Sequence, residues 1–169
     1  MRTTYRARQF FAALTARVSG ADLAEAEAHL PPGARPLFRR MPRDGQAHAL
    51  RVLRDLKRAG ETHPLLLAAA LLHDAGKSAA RVTPLTRSIF VIINRLAPAQ
   101  LARFEATGWC RLLVALRDHP RIAAQWAHTA GCDALTVRLI ARHQDHIDGA
   151  AMSEEDRLLR ALQAVDDQN

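Results

Sequence analysis

Apolar residues recur along this chain at intervals of three and four, and nowhere do they alternate with polar residues over a strand's length. That pattern predicts helices throughout, punctuated by Gly, Pro and capping residues. A first helix is expected from about Thr4 to Val18 and a second from Asp22 to Leu30, stopped by Pro31-Pro32-Gly33. A third begins after Asp44, a candidate N-cap, and ends before Gly60. The fourth has Pro64 at its first position and Gly76 as its C-cap. Later helices are expected at about 86–95, 98–106, 109–118, 120–130, 133–144 and 154–167, with Pro120 separating two of them and Ser153 to Asp156 opening the last. The fold class is therefore all-α, a single compact multi-helix bundle.

Length and composition leave that picture unchanged. The 169 residues suit one domain with no internal repeat or linker, and 49% hydrophobic with 24% charged residues are ordinary globular values. The net charge of +7 comes almost wholly from arginine, since Lys57 and Lys77 are the only lysines. Scattered arginines among few aromatics give no stripe for nucleic acid, so no dedicated nucleic-acid site is expected. Cys110 and Cys132 are too far apart for a zinc knuckle and too few for a disulfide framework, which fits a reducing, cytoplasmic setting. No signal peptide or membrane span is expected. The most hydrophobic short run without a charge, Ser88 to Asn94, is too short to cross a bilayer, and core packing is the simplest account of Ile89, Val91 and Ile92.

Candidate chemistry begins at the end of the fourth helix, Pro64-LLLAAALL-His73-Asp74-Ala-Gly-Lys77. A helix apolar on every face is a buried one, and a His and an Asp in its last turn need partners. A divalent cation would satisfy both, as would an Arg partner and the helix dipole. Helical phase then sorts the remaining histidines. His143 follows Leu139 and Ile140, and His119 follows Leu112, Ala115 and Leu116, so both point inward. His128 faces water, His29 and His63 are poor candidates, and the directions of His146 and His48 stay open. Asp166 follows Leu159 and Leu162 on the buried stripe, whereas Asp167 shares a face with Arg160 and Gln163. Inward imidazoles and carboxylates from separate helices suit transition-metal ions.

With GQAHALRVL (His48), AALLHDAGK (His73 and Asp74) and LLRALQAVDD (Asp166) in this order, the chain resembles the HD-domain metal-dependent phosphohydrolases from about residue 44 to the C-terminus. Residues 1–43 are then a helical extension. DHPRIAAQWA and LIARHQDHIDG resemble segments of members that hold two metals. The resemblance implies that His48, His73, Asp74 and Asp166 hold one ion and that His119, His143 and a bridging Asp74 hold a second. RHQDHIDGA also resembles the signature of the HD-GYP cyclic-di-GMP phosphodiesterases, but Arg142 and Gln144 replace a His and a Glu, and the GYP is missing.

The activity implied by the resemblance is hydrolysis of a phosphomonoester or phosphodiester, of a nucleotide, with two divalent ions (Mn, Fe, Zn, Co, Ni or Mg). Asp74 bridges the ions and orients water, and Lys77 meets a phosphate oxygen. Arg142 and Arg51 are further candidates for phosphate contact. Two other readings use the same residues: a nucleotide-sensing helical module without turnover, and a di-iron oxygenase. The segment 80–108 matches no shared motif and is a candidate part of the base-recognition pocket or, instead, a lid, a dimer face or a membrane-contacting surface, and oligomeric state is left open.

Overall fold

A computed structural model describes residues 17–80, 84–108, 110–147 and 153–169. Within them the chain is helical, with no strand among the described residues. The helices are α1 (Gly20–Ala28), α2 (Arg35–Arg40), α3 (Arg43–Arg58), α4 (Pro64–Leu72), α5 (Pro84–Leu96), α6 (Pro98–Ala102), α7 (Cys110–Thr129), α8 (Ala134–Arg142) and α9 (Glu154–Asp166). Two 3-10 turns join them, Pro32–Ala34 and Ala75–Ala79. The expected helix over 4–18 lies outside the described residues except for Arg17 and Val18, which are not helical.

The centre of the bundle is α4, whose residues from Leu66 to Leu72 are all buried. Helices α3, α8 and α9 pack around it, and the turn after it lies against α7. Burial of these Leu and Ala side chains removes apolar surface from water and stabilises the fold. Polar groups close the gaps. Ser19 caps α1 by accepting from the Asp22 amide while Asp22 accepts from the Ser19 amide. The buried Gln46 amide donates to the carbonyls of Phe38 and Arg39 at 3.0 Å each, satisfying the C-terminal end of α2.

Several expectations need correction. Asp44 lies in the first turn of α3, and Pro42 takes the N-cap position. The short helix α2 went unforeseen because Pro31-Pro32-Gly33 reads as a stop, whereas Pro32 and Pro36 sit at first-turn positions where a missing N–H costs nothing. α4 ends at Leu72 with His73 as its C-cap, and Gly76 lies inside the following turn. A Cβ at Gly76 would stand 2.1 Å from the His119 carbonyl oxygen, so glycine is required there for close approach.

Pro120 does not divide two helices; α7 runs through it for 20 residues. A mid-helix proline leaves the carbonyl four residues back without its amide donor. That carbonyl, on Leu116, accepts from the His119 ring at 2.7 Å, and so the interruption is compensated locally.

A further correction concerns α5. Among the described residues, Ile89, Val91, Ile92 and Leu96 are the exposed large hydrophobic ones, at 36, 40, 56 and 76%. They do not fill the core. Apolar residues occupy more of this helix's circumference than one contact can cover, and Phe90 and Ile93, both half-buried, take the inward side. No described helix is long and apolar enough to cross a membrane.

Candidate metal centre

Three histidines are delivered to one point by a common local device. His73 caps α4, His143 caps α8, and His119 precedes the proline in α7. At each place a backbone carbonyl three residues earlier has lost its helical donor. The ring Nδ1 bonds that carbonyl, on Ala70 at 2.9 Å, Leu116 at 2.7 Å and Ile140 at 2.8 Å. A carbonyl only accepts, so Nδ1 carries the proton and Nε2 presents its lone pair outward. All three rings are buried.

The three Nε2 atoms converge on Asp74, the residue after His73. His119 Nε2 lies 3.2 Å and His143 Nε2 3.9 Å from Asp74 Oδ1. His73 Nε2 lies 3.7 Å and His48 Nε2 3.9 Å from Oδ2. The four rings form a chain with centroids 5.4 Å (His48 to His73), 5.1 Å (His73 to His143) and 5.2 Å (His143 to His119) apart. Two groups of ligand atoms have metal-binding spacing, each within 4.8 Å: His48, His73 and Asp74, and Asp74, His119 and His143. Asp74 belongs to both.

The donor set fits a metal ion on its own evidence. The Nε2 atoms of His73 and His143 are buried and have no hydrogen-bond partner. An orphaned buried acceptor is costly, and two aimed at one carboxylate are the arrangement a divalent cation satisfies. The bonded Nδ1 atoms fix ring orientation and tautomer, as the outer contacts of ligating histidines do.

Electrostatics at the cluster set opposing demands. Burial would raise the Asp74 pKa, yet the Lys77 ammonium and the His73 and His119 imidazoles outweigh it and hold the carboxyl well below its usual range. Burial opposes charge on His73 as well, but Asp74 and Asp166 prevail and raise its pKa. His143 goes the other way. Burial, reinforced by repulsion from a charged His73, lowers it to about 3.

Asp166, half-buried at the end of α9, lies beside the first group, with Oδ1 2.9 Å from His48 Nε2 and 3.4 Å from His73 Nε2. Burial would raise its pKa, and the neighbouring His48 and His73 imidazoles lower it instead. Asp167, one residue on, is exposed. Lys77 is 31% exposed, with Nζ 2.6 Å from Asp74 Oδ2.

Arg142, a candidate phosphate contact, is paired with carboxylates in this structure. Its guanidinium bonds Glu155 at 2.6 Å and Asp156 at 3.0 Å, with Asp145 at 3.8 Å. It fastens α8 to the first turn of α9, and its donors are directed there rather than toward the cluster. His128 and His146 are exposed, and His63 stands at the opposite end of α4 from His73.

Two glutamines stand beside the cluster that the sequence reading did not place there. Gln163 donates to the carbonyls of His143 at 3.1 Å and Asp145 at 2.8 Å, tying α9 to the end of α8, and Gln144 Nε2 comes 3.5 Å from His119 Nε2. Gln163 precedes Asp166 by three residues, a spacing that would have placed it one turn before that carboxylate. Both line an open cleft of about 370 Å³ with His143, Asp145, His146, Asp166 and Asp167, directly beside the cluster.

Comparison with known proteins agrees with this architecture. Residues 45–167 match the family model of the HD domain. No curated protein matches the chain, and no solved structure does. The matched stretch spans most of the sequence and contains the His48, His73-Asp74 and Asp166 segments, and the chain belongs to the HD-domain family.

Proposed function

We propose that the protein is a metal-dependent phosphohydrolase acting on a phosphomonoester or phosphodiester of a nucleotide, with two divalent ions shared through Asp74. The observation that carries this reading is the convergence of the His73, His119 and His143 Nε2 atoms on one buried carboxylate, two of them without a hydrogen-bond partner. His48, His73, Asp74 and Asp166 are the proposed residues for one ion, and Asp74, His119 and His143 for the other. When bound, such ions supply the Lewis acidity and water activation that phosphoester hydrolysis needs.

The chain's own residues supply the rest. Asp74, held ionised, keeps its two oxygens facing different histidine pairs and accepts hydrogen bonds from a water between them. Lys77 is a part-exposed point charge beside Asp74; it exchanges that pairing for a substrate phosphate oxygen. We leave Arg142 out of substrate binding, because its ion pairs hold α8 and α9 together. The neighbouring cleft suits a small ligand, and the amides of Gln144 and Gln163 beside it offer polar contacts for a base or sugar.

The test is elemental analysis of the purified chain, followed by phosphate-release assays on nucleotides with and without oxygen. About two transition-metal ions per chain and oxygen-independent phosphate release are expected. A product that forms only with oxygen would favour a di-iron oxygenase. Less than about a tenth of an ion per chain, not recovered on adding Mn²⁺ or Fe²⁺, would leave the nucleotide-sensing module.

A further inference from the structure

We propose that α5 is a docking face for an anionic lipid surface. Large exposed hydrophobic residues among the described part of the chain are confined to this helix. Ile89, Ile92 and Leu96, spaced by three and four, lie along one line of it, and Val91 and Arg95, four apart, flank that line. A cluster of this kind on one helix is more than isolated surface apolarity, and it marks a contact surface.

Charge identifies the occupant. From Ala75 to Phe104 the sequence has no Asp or Glu, and it carries Lys77, Arg81, Arg87, Arg95 and Arg103. Arg95 and Arg103 are exposed. An apolar line bordered by cations is the pattern of a helix that lies in the headgroup plane, with its aliphatic side chains in the acyl boundary and its basic groups among anionic heads. A second copy of the chain suits the face less well. A two-fold contact would set α5, with its exposed Arg95, against its own copy, and α5 itself carries no carboxylate to pair with that cation. The N-terminal segment has the same difficulty, because residues 1–16 carry Arg2, Arg6 and Arg8 and no acid.

The experiment is co-sedimentation of the full chain with phosphatidylcholine vesicles, with and without phosphatidylglycerol, at low and high salt. The chain is expected to sediment with the phosphatidylglycerol vesicles, to stay in solution with phosphatidylcholine alone, and to be released by salt. Ile92→Glu with Leu96→Glu should weaken binding at least about tenfold, and Arg95→Glu with Arg103→Glu by a similar factor. All four positions are exposed, so an unchanged melting temperature checks that the fold persists. Equal sedimentation with both vesicle types, or double variants that bind as the parent does, would overturn the proposal. So would a concentration-dependent dimer abolished by Ile92→Glu with Leu96→Glu in a chain that binds no vesicles, or salt-sensitive capture by an acidic polypeptide with no vesicle binding.

Discussion

His119 and His143 reach Asp74 from places where a helix has lost a donor, and each ring is buried and bonded through Nδ1 to its own backbone. His48 reaches the same carboxylate from the middle of α3. It is 19% exposed and bonds Asp166, a second and more open carboxylate. One half of the centre is thus buried and tied to its own backbone, and the other is half-open and fastened by an acid at a helix end. The buried half has its geometry set by helix termini and responds to backbone displacement. The open half depends on side chains that solvent can reach, and substitution there should be more local.

The sharpest way to break this comparison is to remove the residue both halves share. Asp74→Ala should lower metal affinity by more than about a hundredfold and abolish phosphate release, because the loss falls on both groups of ligands. Retention of one tightly held ion in this variant, seen by elemental analysis, would mean that the halves are independent sites.

Gly76→Ala tests the rigidity of the buried half without touching a candidate ligand. Its new Cβ would meet the His119 carbonyl oxygen at 2.1 Å and the Ala123 amide nitrogen at 2.9 Å, both backbone atoms that cannot turn aside. A destabilisation of about 1–3 kcal/mol is expected in denaturant unfolding. Gly20→Ala, with nothing within 4 Å, is the control and should be near neutral.

The same contrast explains what was legible in the sequence. Helical phase alone turned His119 and His143 inward, because a buried ring shares its face with Leu and Ile. It could not orient His48, whose half-exposed setting in α3 mixes Val52 with Asp55. Only the resemblance to HD domains supplied its direction. The run through Pro120 and the early end of α4 were hidden for a different reason: they depend on ring-to-carbonyl bonds and on an approach between segments distant in sequence. Exposure of α5 was likewise invisible, since apolar periodicity says which face is apolar and not whether anything covers it.

Acid should separate the halves further once metal is stripped with a chelator. His143 has a folded pKa of about 3 against an ordinary 6.5, so below pH 6.5 the unfolded chain takes up a proton that the folded chain refuses. Its contribution makes stability fall with decreasing pH from about 6.5 toward 3, at no more than about 1.4 kcal/mol per pH unit. His73 has a raised pKa, and its contribution is present below 6.5 and lost as pH rises through the folded value. His143→Gln should therefore flatten the acid limb of a melting-temperature profile. An unchanged limb would assign the loss to Asp74 and Asp166, whose lowered pKa values act only nearer pH 4 and below.

On the open side, Asp166→Ala should cost about tenfold or more in metal affinity while Asp167→Ala changes it little, since Asp166 alone of the two lies within 3.5 Å of His48 and His73. Equal losses would require α9 to be rotated.

The smallest expected effect belongs to Arg142. Its bonds to Glu155 and Asp156 join α8 to α9, the helices that supply His143 and Asp166, so its removal loosens the seam between the two halves without touching either. The guanidinium is 35% exposed and its partners are near the surface, and water screens such pairs. Arg142→Ala should therefore cost no more than about 1 kcal/mol of stability and leave the Michaelis constant for a phosphorylated substrate within about twofold. A rise of tenfold or more at unchanged stability would instead make Arg142 a phosphate contact, freed from its carboxylates when substrate arrives.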